Sequence, residues 1–298
     1  MISPELIDVV LPENTGYPLE LAAKDTDEAI WDAMGDTARE FPNSLYVEPS
    51  EVRERADYND KHGLWAEDYW DRFTNQSPTH ECTTHAGVSV MEACWNRQRR
   101  ICLGGPVAGE RKPISEKSAS VWFSCISVYC EANPGQWGGA NVREILNIAV
   151  ERGFLPDDTQ PRDYGFRHTF PGTCGKGGIN QSRTGTWPGW SGGTFRRLPS
   201  SWPDDNWRET AKHFRPLECV IPQSTAQYDS LLIHGFSISI GRSGHSVPIG
   251  RIVYDGGRKL YRYRDSYDVF RYDSRAYPSG SYSIITCTQP DDWDRPAG

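Results

Sequence analysis

Four residues of the 298-residue chain have the types and the order that thiol chemistry needs. Cys82 opens a predicted helix, and the N-terminus of a helix stabilises a thiolate. Gln76 precedes it by six residues, so its side-chain amide could donate a hydrogen bond to an oxyanion beside the sulfur. His245 and Asp265 fall on adjacent predicted strands, which places them side by side. Asp265 would fix the tautomer of His245, and His245 would accept the thiol proton.

Each of these residues also has a purely structural interpretation. Cys82 could be an ordinary buried cysteine, and Gln76 a surface amide. His245 could be a core histidine with satisfied hydrogen bonds, and Asp265 could cap its strand or pair with Arg264. The order and spacing of the four residues favour the catalytic interpretation.

A metal site is the alternative use of the cysteine segment. His80, Cys82 and His85 form the pattern His-x-Cys-x-x-His, but no second cluster completes a ligand set. We therefore expect no metal and no organic cofactor. The eight cysteines include no Cys-x-x-Cys pair, and the N-terminal residues do not resemble a signal peptide. These features predict reduced cysteines in a cytoplasmic or virion-associated protein.

The elements that must position these residues change in type along the chain. Helical periodicity favours helices in the first half, over residues 26–40, 82–99, 114–131 and 141–152, the last capped by Asn141 and ended by Gly153. Alternating segments favour strands in the second half, at 231–241, 246–254, 259–265 and 281–287, with a turn at 255–257. This order predicts an α+β fold with a helical lobe followed by an antiparallel sheet lobe.

The charge distribution separates an N-terminal arm from the body. The net charge is −8, yet residues 1–75 hold 18 acidic and 6 basic residues. We divide the chain into an acidic extension at 1–70, a helical lobe at 71–160 that carries the nucleophile, and a β-rich lobe at 161–298 that carries the histidine and the aspartate. A segment rich in Gly and Trp at 161–205 is an insertion in the second lobe. We expect the acidic arm 1–70 to pack beside the body and to leave the candidate site free, with a protein partner docking through the arm. The alternative is that the arm covers the site until it is removed.

In the order of these motifs the chain resembles the papain-like cysteine peptidases, over about residues 70–287. The nucleophile, histidine and aspartate follow one another as in that family, and the glutamine lies at the family's spacing from the cysteine. The stretch GGANVREILNIAVERGF (138–154) resembles the family's glycine pair and the helix after it. Asp265-Ser266-Tyr267 stands where the family has Asn-Ser-Trp, and Gly280-Ser281-Tyr282 resembles its closing strand.

The sequence departs from the family pattern around the nucleophile. The usual Cys-Gly-Ser-Cys-Trp is replaced by Thr79-His80-Glu81-Cys82-Thr83, which lacks the cysteine that commonly forms a disulfide there. Ser77 stands where a glycine usually follows the glutamine, and Asp265 replaces asparagine.

The resemblance implies a two-lobed fold with a cleft between the helical lobe and an antiparallel sheet or barrel. It also implies peptide-bond hydrolysis by Cys82, His245, Asp265 and Gln76, with Gly138 and Gly139 lying against an extended peptide or protein substrate. Neither nucleic acid nor membrane insertion is expected. A weak or inactive structural protein on the same fold, such as a phage or virus particle component, is the main alternative. A Cys-His-Asp acyltransferase of the transglutaminase type comes third.

Overall fold

The computed structural model describes residues 1–8, 23–70, 81–104, 120–133, 139–157, 205–242, 244–266 and 269–288, with the backbone alone for 100–104. Gln76, His80 and Gly138 lie outside these ranges, as does nearly all of the predicted insertion at 161–205.

Seven α-helices occur among the described residues. They are α1 (Asp27–Met34), α2 (Val52–His62), α3 (Cys82–Gly104), α4 (Cys125–Ala132), α5 (Val142–Glu151), α6 (Asp205–Ala211) and α7 (Thr225–Ile233). None of them combines the length and the apolar character needed to cross a bilayer. The starts of several follow from their caps: Asn141 accepts a hydrogen bond from the Glu144 backbone N–H at 2.8 Å, as predicted for α5.

The six described strands form one antiparallel sheet. They are β1 (Pro216–Val220), β2 (Ile238–Arg242), β3 (His245–Asp255), β4 (Arg258–Asp265), β5 (Val269–Asp273) and β6 (Ser281–Cys287). Their order across the sheet is β1-β6-β2-β3-β4-β5. The predicted α+β class is confirmed, and the sheet among the described residues is open rather than closed into a barrel.

The two larger apolar cores among the described residues join most of these elements. In the first, residues of α3, α4 and α5, such as Met91, Val128 and Ile145, pack against Tyr282 and Ile284 of β6. The second lies on the sheet and is built by β2, β3 and β4 with α7. Since β6 belongs to the first core and pairs with β2 of the second, the two halves of the fold share one continuous sheet.

The helix that begins at Cys82 runs through the interior. All side chains from Glu81 to Asn96 are buried, so α3 is covered on every side and not on one stripe alone. Its polar residues have specific partners: Glu92 accepts from the Phe123 backbone N–H at 3.0 Å, and the Asn96 amide bonds to the backbone of Tyr69 and Val121. These bonds fix the axial position of α3, and hence the position of its first residue.

Several predicted elements differ from the structure. Residues 231–233, predicted as strand, end the helix α7, because a Ser224 cap and buried Tyr228 and Leu232 extend the helical pattern back to Thr225. Of the helix predicted over 114–131, residues 114–119 lie outside the described residues. Residues 120–124 are not helical, since Phe123 forms an isolated β-bridge with Pro156 and Ser124 caps the helix that begins at Cys125. Strands β1 and β5 were not predicted from the sequence.

Candidate functional site

The N-terminus of α3 carries the predicted nucleophile. Cys82 is the first residue of this 23-residue helix and is fully buried. The hydroxyl of Thr83 lies 3.8 Å from the Cys82 sulfur and donates a hydrogen bond to the Ala140 carbonyl at 2.9 Å. Gly139 is therefore the residue before Ala140, whose carbonyl is hydrogen-bonded to the second residue of the nucleophile helix.

His245 and Asp265 face each other across the β3–β4 pair. His245 begins β3 and Asp265 ends β4, and the antiparallel ladder between these strands brings the two ends together. The distance from His245 Nε2 to Asp265 Oδ1 is 3.1 Å, and both side chains are fully buried. His245 and Asp265 therefore lie side by side, as expected for adjacent strands.

The imidazole also interacts with the thiol. Burial acts to lower the pKa of His245, but hydrogen bonds with Asp265 and with Cys82, and their charges, raise it from 6.5 to about 9. The nucleophile helix and the two strands thus bring Cys82, His245 and Asp265, which are far apart in sequence, into one buried group. An imidazole with this pKa holds a proton readily, as the partner of a thiolate must.

The second oxygen of the Asp265 carboxylate, Oδ2, contacts the guanidinium group of Arg271. Arg271 of β5 directs its Nε to Asp265 Oδ2 at 2.6 Å, and its side chain keeps 22% of its exposure. Burial acts to raise the pKa of Asp265, but the hydrogen bonds and charges of His245 and Arg271 prevail and hold it below its usual 3.8. Asp265 is therefore an ionised acceptor, and His245 Nε2 donates the hydrogen bond between them.

A second buried acid lies beside the nucleophile. Glu81 Oε2 is 3.5 Å from His85 Nε2, one helical turn along α3, and both side chains are buried. Burial and the charge of Glu81 raise the pKa of the Cys130 thiol well above its ordinary value. No group of three or more metal-ligating side chains occurs in the part of the chain that the structure describes.

Sequence reasoning missed Arg271. The β4–β5 register pairs Asp265 with Val269 and Tyr263 with Arg271, so Asp265 and Arg271 lie diagonally on one face. An arginine can span such a diagonal. Recognising Val269–Asp273 as the return strand of a hairpin would have revealed the pair. Of the other predicted residues, Gln76 and Gly138 lie outside the described residues.

Structure comparison gives matches among solved cysteine proteases. Xylellain, a cysteine protease from Xylella fastidiosa, is 14% identical, with a TM-score of 0.44 over 72% of this chain and 82% of that one. Procathepsin B S9 from Trypanosoma congolense is 11% identical, with a TM-score of 0.41 over 96% and 87%. A structure from work on the mite allergens Blo t 1 and Der p 1 is 13% identical, with a TM-score of 0.44 over 94% and 83%.

The chain resembles papain-like cysteine proteases. No family model matches the sequence, and no curated protein does. Identities of 11 to 14% and TM-scores below 0.5 are too low to transfer an activity. The function of this chain is therefore inferred from the geometry of its own residues.

Proposed function

We propose that this chain is a cysteine peptidase that hydrolyses peptide bonds through Cys82, His245 and Asp265. The observation that carries the proposal is the position of His245, whose Nε2 lies 3.1 Å from Asp265 Oδ1 and whose pKa is raised by both Asp265 and the Cys82 thiol. An imidazole held between a carboxylate and a thiol is the arrangement that activates a cysteine nucleophile.

In the first half of the reaction the sulfur forms a bond to the scissile carbonyl carbon. Because His245 Nε2 donates to Asp265, Nδ1 is the ring nitrogen that takes the thiol proton and later gives it to the leaving amine. The carbon–nitrogen bond then breaks and leaves an acyl group on Cys82. In the second half, water gives a proton to His245 and attacks the acyl carbon. His245 then returns that proton to the sulfur as the carbon–sulfur bond breaks, which releases the free thiol and a carboxylic acid product.

The oxyanion of each tetrahedral intermediate needs hydrogen-bond donors. The backbone N–H of Cys82 is one candidate, since the first N–H groups of a helix have no intrahelical acceptor. Gln76 is the second, by its spacing from Cys82 and by the family resemblance. Gly138 and Gly139 would contact the substrate backbone, and the bond from Thr83 to the Ala140 carbonyl supports a position for this segment near the sulfur.

Burial sets a condition on this activity. Cys82, His245 and Asp265 have no exposed surface in the described conformation. A peptide can reach the sulfur only after the surrounding chain has moved, so the proposal includes an opening step before acylation.

Turnover of a mixed-sequence fluorogenic peptide library tests the proposal. We expect Cys82→Ser and His245→Ala to lower the rate about a thousandfold or more. Cys94→Ala, which changes a buried cysteine more than three helical turns beyond Cys82 on α3, serves as the matched control and should remain active. Equal rates in Cys82→Ser and the unmodified protein would overturn the proposal. A complete lack of turnover in the unmodified protein would favour the structural or interaction role.

A further inference from the structure

Each oxygen of the Asp265 carboxylate accepts a hydrogen bond from a different donor. Its Oδ1 accepts from His245, and its Oδ2 accepts from Arg271 Nε at 2.6 Å. Both oxygens are therefore fixed, and the carboxylate cannot rotate about its terminal bond without losing one of two charge-assisted hydrogen bonds. A carboxylate without this second partner would be free to turn its oxygens between positions.

Arg271 also balances the charge of this buried site. An unpaired buried carboxylate carries a large desolvation penalty, which a hydrogen-bonded cation offsets. The family that the sequence resembles uses a neutral asparagine at this position. Asp265 together with Arg271 presents His245 with one fixed acceptor oxygen from a pair with no net charge, much as an amide would.

The surrounding charged groups do not replace Arg271 in this role. The groups on the strands that interact with Asp265 are His245 on β3, Tyr263 on β4 and Arg271 on β5, while Cys82 on α3 interacts with His245. Arg242 of β2 is the next cation, but it bonds Asp273 at 3.1 Å and the Tyr263 hydroxyl at 3.1 Å.

We propose that Arg271 is a positioning residue of the active site, which acts through Asp265 by fixing its orientation and neutralising its charge. The inference rests on the proposed peptidase function, in which His245 must keep one ring orientation through both proton transfers. The contact of Arg271 with the site is with the Asp265 carboxylate, so its effect on the reaction passes through that group.

A double-mutant cycle separates this role from a simple ion pair. Arg271→Gln should lower kcat/KM about tenfold, with most of the loss in kcat, because the carboxylate loses its anchor. Asp265→Asn should also lose activity, because the amide NH2 would face the Arg271 guanidinium, two donors in contact. In the combined variant a glutamine oxygen can accept from the asparagine NH2. We therefore expect Asp265→Asn with Arg271→Gln to equal or exceed Asp265→Asn alone.

Two further variants serve as controls for this cycle. Arg271→Lys keeps the positive charge and should restore part of the activity lost in Arg271→Gln. Arg275→Gln removes an exposed arginine of the same region that pairs with Asp273 and should change nothing. Losses that simply multiply in the combined variant, or an Arg271→Gln rate equal to that of the unmodified protein, would overturn the inference.

A readout independent of turnover keeps the two proposals distinguishable. NMR titration of the His245 ring should show a higher pKa in Arg271→Gln, because a nearby cation has been removed, and a smaller change in Arg271→Lys. If no variant cleaves peptides but this titration moves as expected, the peptidase proposal fails while the link from Arg271 to His245 stands. An unchanged His245 titration in Arg271→Gln contradicts the inference.

Discussion

The proposed chemistry depends on three side chains and on the contact that Asp265 makes with Arg271. Cys82 lies at the start of α3, His245 at the start of β3 and Asp265 at the end of β4, so each belongs to the terminus of a regular element. Their backbones are therefore fixed by ladders and helical bonds, while their side chains meet beyond the element ends. Arg271 holds the far oxygen of Asp265.

The pair formed by His245 and Asp265 predicts a pH-dependent stability. The pKa of His245 is raised to about 9, so its contribution is fully present below 6.5 and is lost as pH rises through about 9. The pKa of Asp265 is lowered, so its contribution is present above 3.8 and is lost as pH falls below that. Both contributions are therefore fully present only between about pH 3.8 and pH 6.5, where the pair stabilises the fold most.

Chemical denaturation of Asp265→Asn and the unmodified protein measures this effect. We expect the difference in unfolding free energy to be largest near about pH 5.5 and to shrink by up to about 3 kcal/mol at about pH 10, taking about 1.4 kcal/mol per pKa unit. Asp32→Asn, at an exposed position of α1, is the control. A difference that stays constant over this range would mean that the pair is not ionised as described.

At the scale of elements, the acidic N-terminal segment packs against the rest of the fold and contributes to both cores. Asp25 accepts hydrogen bonds from the Val142 and Arg143 backbone N–H groups at 2.8 and 2.9 Å, so it caps α5 from outside that helix. Ile30 and Met34 of α1 enter the first core, and Trp65 enters the second. Helix α5 in turn packs on α3, so this cap supports the helix that carries Cys82.

Replacing Asp25 tests the contribution of this cap. Asp25→Ala leaves two N–H groups of α5 without their acceptor and removes a negative charge from a helix N-terminus. We expect a loss of about 1–3 kcal/mol in unfolding free energy, with Asp32→Ala in the exposed part of α1 nearly neutral. Thermal and urea denaturation provide the measurement. Equal stability of the two variants would show that the cap contributes nothing.

The sequence predicted the elements that carry the site better than those that support it. Helices α3 and α5, strands β3, β4 and β6, and the turn between β3 and β4 follow from local periodicity, caps and glycines. Strands β1 and β5 are five residues long and depend on pairing partners distant in sequence, which a local pattern does not reveal. Arg271 was missed for the same reason, because its contact depends on the β4–β5 register.

Glycines inside elements show a second limit of sequence patterns. Gly87 interrupts the apolar pattern of α3 without an apparent local reason. A Cβ at this position would lie 2.5 Å from the Ile145 Cγ2 atom, so the glycine allows α3 and α5 to approach closely. Such a requirement arises only when two helices meet, and it cannot be read from either helix alone.

At the scale of the whole molecule, the N-terminal segments cover both edges of the sheet. Ile7 forms a bridge with Tyr272 on β5, and Ala38 forms one with Cys219 on β1. The Asp8 and Arg39 backbone N–H groups donate to these same edge residues at 2.9 Å each. Open strand edges invite pairing with other chains, so these contacts protect the sheet from association.

Deletion of residues 1–45 should therefore destabilise the protein rather than activate it. The truncation removes Ile30 and Met34 from the first core, along with the bridges at both sheet edges, and we expect a lower melting temperature and concentration-dependent association. Size-exclusion chromatography and thermal denaturation report both effects. A stable monomer with strongly increased peptide turnover would instead identify this segment as an inhibitory pro-segment.

At the centre of the proposed mechanism, His245 activates Cys82. Intact-protein mass spectrometry and peptide mapping after brief treatment with an epoxide thiol probe at neutral pH test it most directly. Cys130, Cys219 and Cys287 have thiols whose pKa values burial raises, so they should react slowly. We predict one adduct, on Cys82, which is lost in His245→Ala and kept in His213→Gln, a variant of an exposed histidine. Labelling of Cys82 at the same rate with and without His245, or no labelling above that of the other buried cysteines, would contradict the account.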